Sequence, residues 1–365
     1  MASIKRIGKK INESINEIII IYYILINTII FILSEEIDNS YILITINDTG
    51  IQNIINPEFS PIPDEVYINE IKMENNIYFY NLEDEGNIIK LKWNAKLNSC
   101  DNMFSGMKNI TEIDISNFDT SEVTSMYSFF NECSKLKRIN FKKDNNIIDT
   151  SLVTNMENMF YGCKSLIVLD LSYLNISLVN KISYIFDECI SLKILNFSNL
   201  DMLNINPIDI SFSKCSSLES LDLSNLYCPK LTQINFGFPS SLKYLNMSNF
   251  NVPLNKKQII FHLLNLELLD LSNFNTSITN MSSMFYYCKS LTSLALSNFN
   301  TSLVTNMSSM FYYCNSLKSL DLSNFNTSLV TSMGSMFYYC RSLTSLNISK
   351  FNTSLVYNIG FMFYY

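Results

Sequence analysis

The chain of 365 residues is 47% apolar and 13% aromatic, with 8 Gly and 7 Pro, which excludes collagen-like, Pro/Gly-rich and intrinsically disordered classes. Charged residues make up only 16%, and 33 acids against 26 bases leave a net charge of −7, so a nucleic-acid backbone finds no basic surface. A single histidine, His262, removes most acid–base and metal chemistry.

In chain order, Lys5, Arg6, Lys9 and Lys10 come first, followed by a stretch at 18–33 that is apolar apart from Asn27 and Thr28. Ser34 and then Glu35, Glu36 and Asp38 close it. A basic leader, an apolar run and a small residue form the pattern of a secretory signal, with Ile32 and Ser34 at positions −3 and −1 of a cleavage before Glu35. The alternative is an uncleaved signal anchor whose basic end stays in the cytoplasm, the run being short beside the roughly 20 residues of a full span. Either reading of residues 1–34 places the remainder outside the cytosol, at the cell surface or secreted.

Residues 35–99 show no long repeat. Short β-rich runs (Tyr41 to Ile46, Glu65 to Ile68, Asn76 to Tyr80) alternate with turn-rich stretches at Asn47–Gly50 and Pro57–Asp64. This is expected to be a small β cap over the first turn of a repeat array, because an end turn otherwise exposes its apolar cross-section.

Residues 100–365 are the array. The segment from Leu291 to Cys314 recurs almost verbatim from Leu317 to Cys340 and again from Leu343, where the sequence ends within a repeat. The middle Leu of L-x-x-L-x-L falls at Ile113, Ile139, Leu169, Leu195, Leu221, Leu245, Leu269, Leu294, Leu320 and Leu346, in steps of 24 to 30 residues, with one insertion near Lys142 to Ile148. A phenylalanine column including Phe285, Phe311 and Phe337, and a cysteine column including Cys288, Cys314 and Cys340, keep the same phase as core positions. L-x-x-L-x-L reads as a strand with alternate residues inward. Val304, Met307, Phe311 and Cys314 lie at offsets 0, 3, 7 and 10, one face of a short helical return, with Thr301 and Ser302 as its caps. The expected fold is therefore an α/β solenoid, a right-handed leucine-rich-repeat coil of about ten turns with a parallel sheet on the concave face.

The motif M-F-x-x-C-x-S-L-x-x-L-D-L-S-N-F-N-T-S-x-V-T-x-M resembles the repeat of BspA-type leucine-rich-repeat surface proteins, also met in a mycoplasma lipoprotein-associated repeat family. The matching residues run from about Asn102 to the end, and Pro63 to Asn69 and Leu91 to Asn94 resemble the family's cap. The turns at Leu195, Leu221, Leu245 and Leu269 depart from the motif, lacking the Val-Thr-x-Met segment or the Cys. The resemblance implies secreted or surface-anchored adhesion proteins that bind host or matrix macromolecules without enzymatic activity.

Three columns are candidate contacts. The first outward strand position reads Asp114, Asn140, Asp170, Asn196, Asp222, Asn246, Asp270, Ala295, Asp321, Asn347, so no two carboxylates are neighbours. Carboxylates about 5 Å apart would repel by several tenths of a kcal/mol, and an intervening Asn donates to both sides. The next outward column is nearly all Ser, including Ser297, Ser323 and Ser349. It reads either as a polar ladder that keeps the sheet soluble or as a surface for protein or glycan. The third is the tyrosine pairs Tyr286-Tyr287, Tyr312-Tyr313 and Tyr338-Tyr339, one member expected to pack between turns and the other to stand exposed.

The cysteine column reads as buried small hydrophobes, with Cys100 and Cys228 outside it as candidate exposed thiols. No C-x-x-C or Cys/His pairing points to zinc, no phosphate-cradling loop or His dyad is present, and Asp residues two turns apart are too distant to share calcium. No catalytic residue, cofactor or metal is expected. The expected partner is an extracellular protein or glycan, not nucleic acid. Self-association as a coat or matrix protein, or a receptor ectodomain tethered to the membrane through 18–33, are the alternatives.

Overall fold

The computed structural model describes residues 40–143, 146–205, 210–229, 236–250, 260–261, 263–274 and 278–364, all within one compact unit, Ser40–Tyr365. The expected leader at 1–34 and His262 lie outside the described residues.

Alternation builds the cap. In β1 (Tyr41–Ile46), Ile42, Ile44 and Ile46 are buried while their neighbours are half-exposed, the period of a strand with one face on a core. β2 (Gly50–Asn53) pairs with β5 (Phe79–Leu82), apart from the main sheet. β3 (Glu65–Ile68), β4 (Ile71–Lys72) and β6 (Asn87–Lys92) join β1 in one six-stranded sheet of order β4-β3-β6-β1-β7-β8. Here β7 (Ile110–Asp114) and β8 (Arg138–Asn140) are the first two strands of the repeat array. β1 lies antiparallel to β7, and β7 parallel to β8, so the cap's own sheet continues into the stack. Trp93 stacks edge-on to Phe118 at 5.6 Å and its indole N–H donates to the Pro61 carbonyl, tying a cap loop to the first turn.

An ion cluster holds the outer hairpin. Glu65 accepts from Tyr67 Oη and Lys72 Nζ and lies 3.5 Å from Lys92 Nζ. The hydrogen bonds from Lys72 and Tyr67 pull its carboxyl down from 4.5 to about 2. A carboxyl lowered on folding contributes stability above its unfolded pKa and loses it as pH falls through the folded one. The hairpin should therefore loosen between about pH 4.5 and 2, and Glu65→Gln should abolish that part of the acid transition when far-UV circular dichroism is followed against pH.

Beyond β8, the insertion near Lys142 forms a two-residue hairpin, β9 (Lys142–Lys143) with β10 (Asn146–Ile147). Five parallel strands follow, β11 (Val168–Asp170), β12 (Ile194–Asn196), β13 (Ser220–Asp222), β14 (Tyr244–Asn246) and β15 (Leu268–Asp270), with Leu169, Leu195, Leu221, Leu245 and Leu269 in register. A last pair, β16 (Ser319–Asp321) and β17 (Ser345–Asn347), aligns Leu320 with Leu346. The turn at Leu294 makes only an isolated bridge through Ser293. It is the turn with Ala295 where every other has Asp or Asn, and so lacks the side-chain oxygen that ends the other strands.

The array is a β-solenoid of about eight turns, with no helix among the described residues, not the expected α/β coil of ten. Within the array, residues 206–209, 230–235, 251–259 and 275–277 lie outside the described residues. The helical return is replaced by linked tight turns. The N–H groups of Met310, Tyr312 and Cys314 donate back three residues, to Met307, Ser309 and Phe311. Between them, Met307, Ser309, Phe311 and Tyr313 donate to the carbonyls of Ser332, Gly334, Met336 and Tyr338 in the next turn. Residues at every fourth place adopt left-handed φ, among them Ser309 (55°) and Tyr313 (59°). Spacing explains the choice. Neighbouring helices need about 8–10 Å between axes, whereas parallel strands rise only about 4.8 Å per turn. A return of tight turns keeps step: Phe285, Phe311 and Phe337 stack at 5.4 and 5.5 Å. Both flanks therefore rise alike, without the wedge of a helix-backed stack.

The core runs along the axis. Phe104, Phe130, Phe160, Phe186 and Phe212 stack at 5.7 to 6.2 Å and are buried, with the Met and Cys columns packed beside them.

Candidate binding surface

The sheet flank carries the Asp/Asn column, and its geometry shows first a structural task. Oδ1 of Asp114, Asp170, Asn196, Asp222, Asn246, Asp270, Asp321 and Asn347 accepts the backbone N–H of the serine two residues on. Each side chain thus closes its own turn after the strand. The N–H and hydroxyl of Ser323 hold Asp321 below the usual carboxylate range. The alternation also works between turns: Asn140 Nδ2 donates to Asp114 Oδ2 at 3.0 Å and Asn246 Nδ2 to Asp222 Oδ2 at 3.2 Å. Asp321 and Asn347 are exposed and the other members half-buried. In the serine column, Ser297 and Ser349 are exposed and Ser323 half-buried, while Ser116, Ser198 and Ser224 are buried.

Two neighbouring columns on this flank were not singled out from sequence. One is an exposed amide ladder, in which Asn225, Asn249, Asn273 and Asn298 each donate Nδ2 to the Oδ1 of Asn199, Asn225, Asn249 and Asn273 in turn, at 2.8 to 3.2 Å. Its signal is the S-N pair after each L-x-L. The other is the strand position before the core Leu, where Val168, Ile194, Tyr244 and Leu268 are half-buried or exposed apolar side chains.

On the return flank the tyrosines form two parallel stacks. Tyr286, Tyr312 and Tyr338 are 4.9 and 4.6 Å apart, and Tyr287, Tyr313 and Tyr339 are 4.7 and 4.6 Å apart. Both members of each pair are half-buried and both stack between turns, which corrects the expectation of one inward and one exposed ring. Mutual burial, then the repulsion that a phenolate would meet from Tyr338 and Tyr286, raises Tyr312 to about 12. Tyr286, Tyr313 and Tyr338 shift the same way.

The cysteine column is interior. Sγ of Cys133, Cys163, Cys189, Cys215, Cys288, Cys314 and Cys340 donates to the carbonyl of Phe104, Phe130, Phe160, Phe186, Phe261, Phe285 and Phe311 in the preceding turn, at 2.7 to 3.3 Å. A small apolar residue with one donor suits a position where a buried carbonyl has a second lone pair to fill. Cys100 and Cys228 are buried as well, so neither is the exposed thiol expected from its place outside the column. Burial pushes Cys215, Cys228, Cys288 and Cys340 up to about 12. Native protein at pH 8 should resist a thiol-labelling reagent, with Cys340, the one half-buried thiol, reacting first, as mass spectrometry of the labelled peptides would show. Rapid labelling of Cys163 without denaturant would contradict the packing.

Among the described residues, no group of three His, Cys, Asp or Glu is placed to hold a metal ion.

The sequence profile of the family described as "Mycoplasma protein of unknown function, DUF285" matches residues 72–190, 137–250 and 255–365. No curated protein matches the chain. Among solved structures, similarity extends to the TLR13–ssRNA13 complex, at 19% identity and TM-score 0.24 over 62% of this chain and 42% of that one. It extends also to the functional domain of InlJ from Listeria monocytogenes, said to include a cysteine ladder, at 14% identity and TM-score 0.27 over 71% and 64%. A third is the glycosylated Toll–Spatzle complex of Drosophila, at 16% identity and TM-score 0.22 over 60% and 37%. The chain spans less than two thirds of each of these chains.

Proposed function

The chain belongs to the DUF285 family of Mycoplasma proteins, and from that premise we propose that it is a non-enzymatic binding protein of the BspA type, held at the cell surface or secreted. It engages an extracellular protein or glycan through side chains repeated from turn to turn. The observation that carries this reading is the exposed Asn199–Asn298 amide ladder, beside the half-buried apolar column of Val168, Ile194, Tyr244 and Leu268. Amides already linked to one another are held in fixed positions, so little side-chain freedom is lost when a partner docks on them. Affinity then comes from many small contacts over a rigid surface. Retention of the full chain on an array of glycans and matrix proteins tests the proposal, with Asn225→Ala/Asn249→Ala expected to weaken it about tenfold. Absence of retention on every feature of the array would refute it.

Self-association is the second reading, and one observation favours it. Leu152, Leu178, Leu303, Leu329 and Leu355 recur at the same corner of the repeat with 43 to 54% of their surface exposed. Sedimentation velocity across a hundredfold concentration range decides this, since a constant monomer removes the reading. Amino-terminal sequencing of the native protein distinguishes a product released after Ser34 from one tethered through 18–33.

A further inference from the structure

Charge is unevenly divided along the chain. Residues 271–365 hold Lys289, Lys318, Arg341 and Lys350 against the single acid Asp321, a net of +3, so the total of −7 leaves −10 on the first 270 residues. The two tyrosine stacks lie within this cationic part. Two of its cations sit at the margin of the stacks: Lys289 Nζ is 5.2 Å from the centre of the Tyr287 ring and Arg341 Cζ is 4.6 Å from that of Tyr339. Both are exposed, and Asn315 occupies the same position in the turn between them. Earlier turns place Glu132, Asp187 and Glu188 where the tyrosines stand, against Lys214 alone, so the balance of charge on the same flank is acidic there.

Resting on the binding role proposed above, we propose that this ridge is a second contact site, separate from the amide ladder, and that it takes an acidic polysaccharide lying along the stack. Face-to-face stacking covers the ring faces and leaves the ring edges, which carry the positive part of the aromatic quadrupole, at the margin of the ridge. The hydroxyls of Tyr286 and Tyr287, and of Tyr312 and Tyr338, bond one another, and their oxygens can still accept from a sugar hydroxyl. Burial and neighbouring rings keep Tyr286, Tyr312, Tyr313 and Tyr338 protonated well above neutral pH, so an anion on the ridge meets no phenolate. The rungs repeat every 4.6 to 4.9 Å, close to one per pyranose unit. An acidic peptide fits less well, because same-face side chains of an extended strand recur at about 6.6 Å and fall out of step with the rungs.

The test uses the full chain with immobilised dextran sulfate, polygalacturonate, unmodified dextran and polyglutamate. Both acidic polysaccharides should bind at least tenfold more tightly than dextran, and the preference should shrink as salt shortens the screening length. Lys289→Glu/Arg341→Glu should weaken that binding about tenfold. Tyr312→Phe/Tyr338→Phe, which keeps the stacks and deletes hydroxyls, should weaken it several-fold. Asn315→Lys should strengthen it, a gain that misfolding cannot mimic. Equal affinity for polyglutamate would reassign the ridge to acidic protein segments and overturn the proposal. So would polysaccharide binding indifferent to all three variants; retention on the glycan and matrix array would then still stand, leaving the binding role intact and only this site wrong.

Discussion

Phe311→Ala should lower stability by about 3–5 kcal/mol, the usual range for removing a fully buried aromatic ring. Phe311 is wholly inaccessible and lies between Phe285 at 5.4 Å and Phe337 at 5.5 Å, so truncation opens a void along the axis and severs two ring contacts at once. Turns in a stack touch only their neighbours, so the void also uncouples the turns on either side. Urea denaturation followed by tyrosine fluorescence and circular dichroism should show a lower midpoint, with the later turns melting first and the two probes no longer coincident. Tyr357→Ala is the control: with 82% of its surface exposed, that residue should shift the midpoint by less than about 0.5 kcal/mol. Equal effects of the two changes would mean that the phenylalanine column is not the core.

Thr150→Val is expected to cost about 2 kcal/mol without changing the shape of the side chain. Thr150 is 1% exposed. Its hydroxyl donates to the Asn175 carbonyl at 2.9 Å and accepts the Asn175 N–H at 2.8 Å, one side chain joining two turns in both directions. Valine fills the same space and takes from both Asn175 backbone groups the partner that the buried threonine supplies. Thr301 does the same for Asn326 and Thr327 for Asn352. Thr124 also bonds across turns, to the Asn98 carbonyl, but is exposed, so water replaces the lost partner and Thr124→Val should be nearly neutral. The difference between the two valine variants in one denaturation series isolates the buried hydrogen bonds from threonine's intrinsic preferences.

The threonine column shows where sequence reasoning stopped. The apolar spacing after Thr301 fits a helical face with Thr301 as its cap, and periodicity alone cannot separate that face from a run of tight turns that buries Val304, Met307, Phe311 and Cys314. Composition held the missing signal. Between Val304 and Cys314 the outward residues are Thr305, Asn306, Ser308, Ser309, Tyr312 and Tyr313, none of them a strong helix former. The strand register at Leu169, Leu195 and Leu221 and the phenylalanine column were legible because burial forces one residue type into one phase. The Asp/Asn alternation was legible as electrostatics, but not the capture of the serine N–H by each oxygen, which depends on the local path of the backbone. The paired stacking of the tyrosines was likewise beyond a sequence argument, since adjacent residues face different ways in both a helix and a strand, and only a tight turn brings both rings to one ridge.

The return flank donates in one direction. At Met281, Ser283, Phe285 and Tyr287, and again at Met307, Ser309, Phe311 and Tyr313, the N–H groups point to the carbonyls of the following turn, while the alternate N–H groups are used within their own turn. In a pleated sheet successive peptide dipoles oppose and cancel. Here they add along the axis, as in a helix, with the positive pole toward the higher-numbered turns. The flank therefore behaves as a polarised rod whose electropositive direction runs toward Lys289 and Arg341, so an anion drawn by those side chains travels down a field that the backbone has already set.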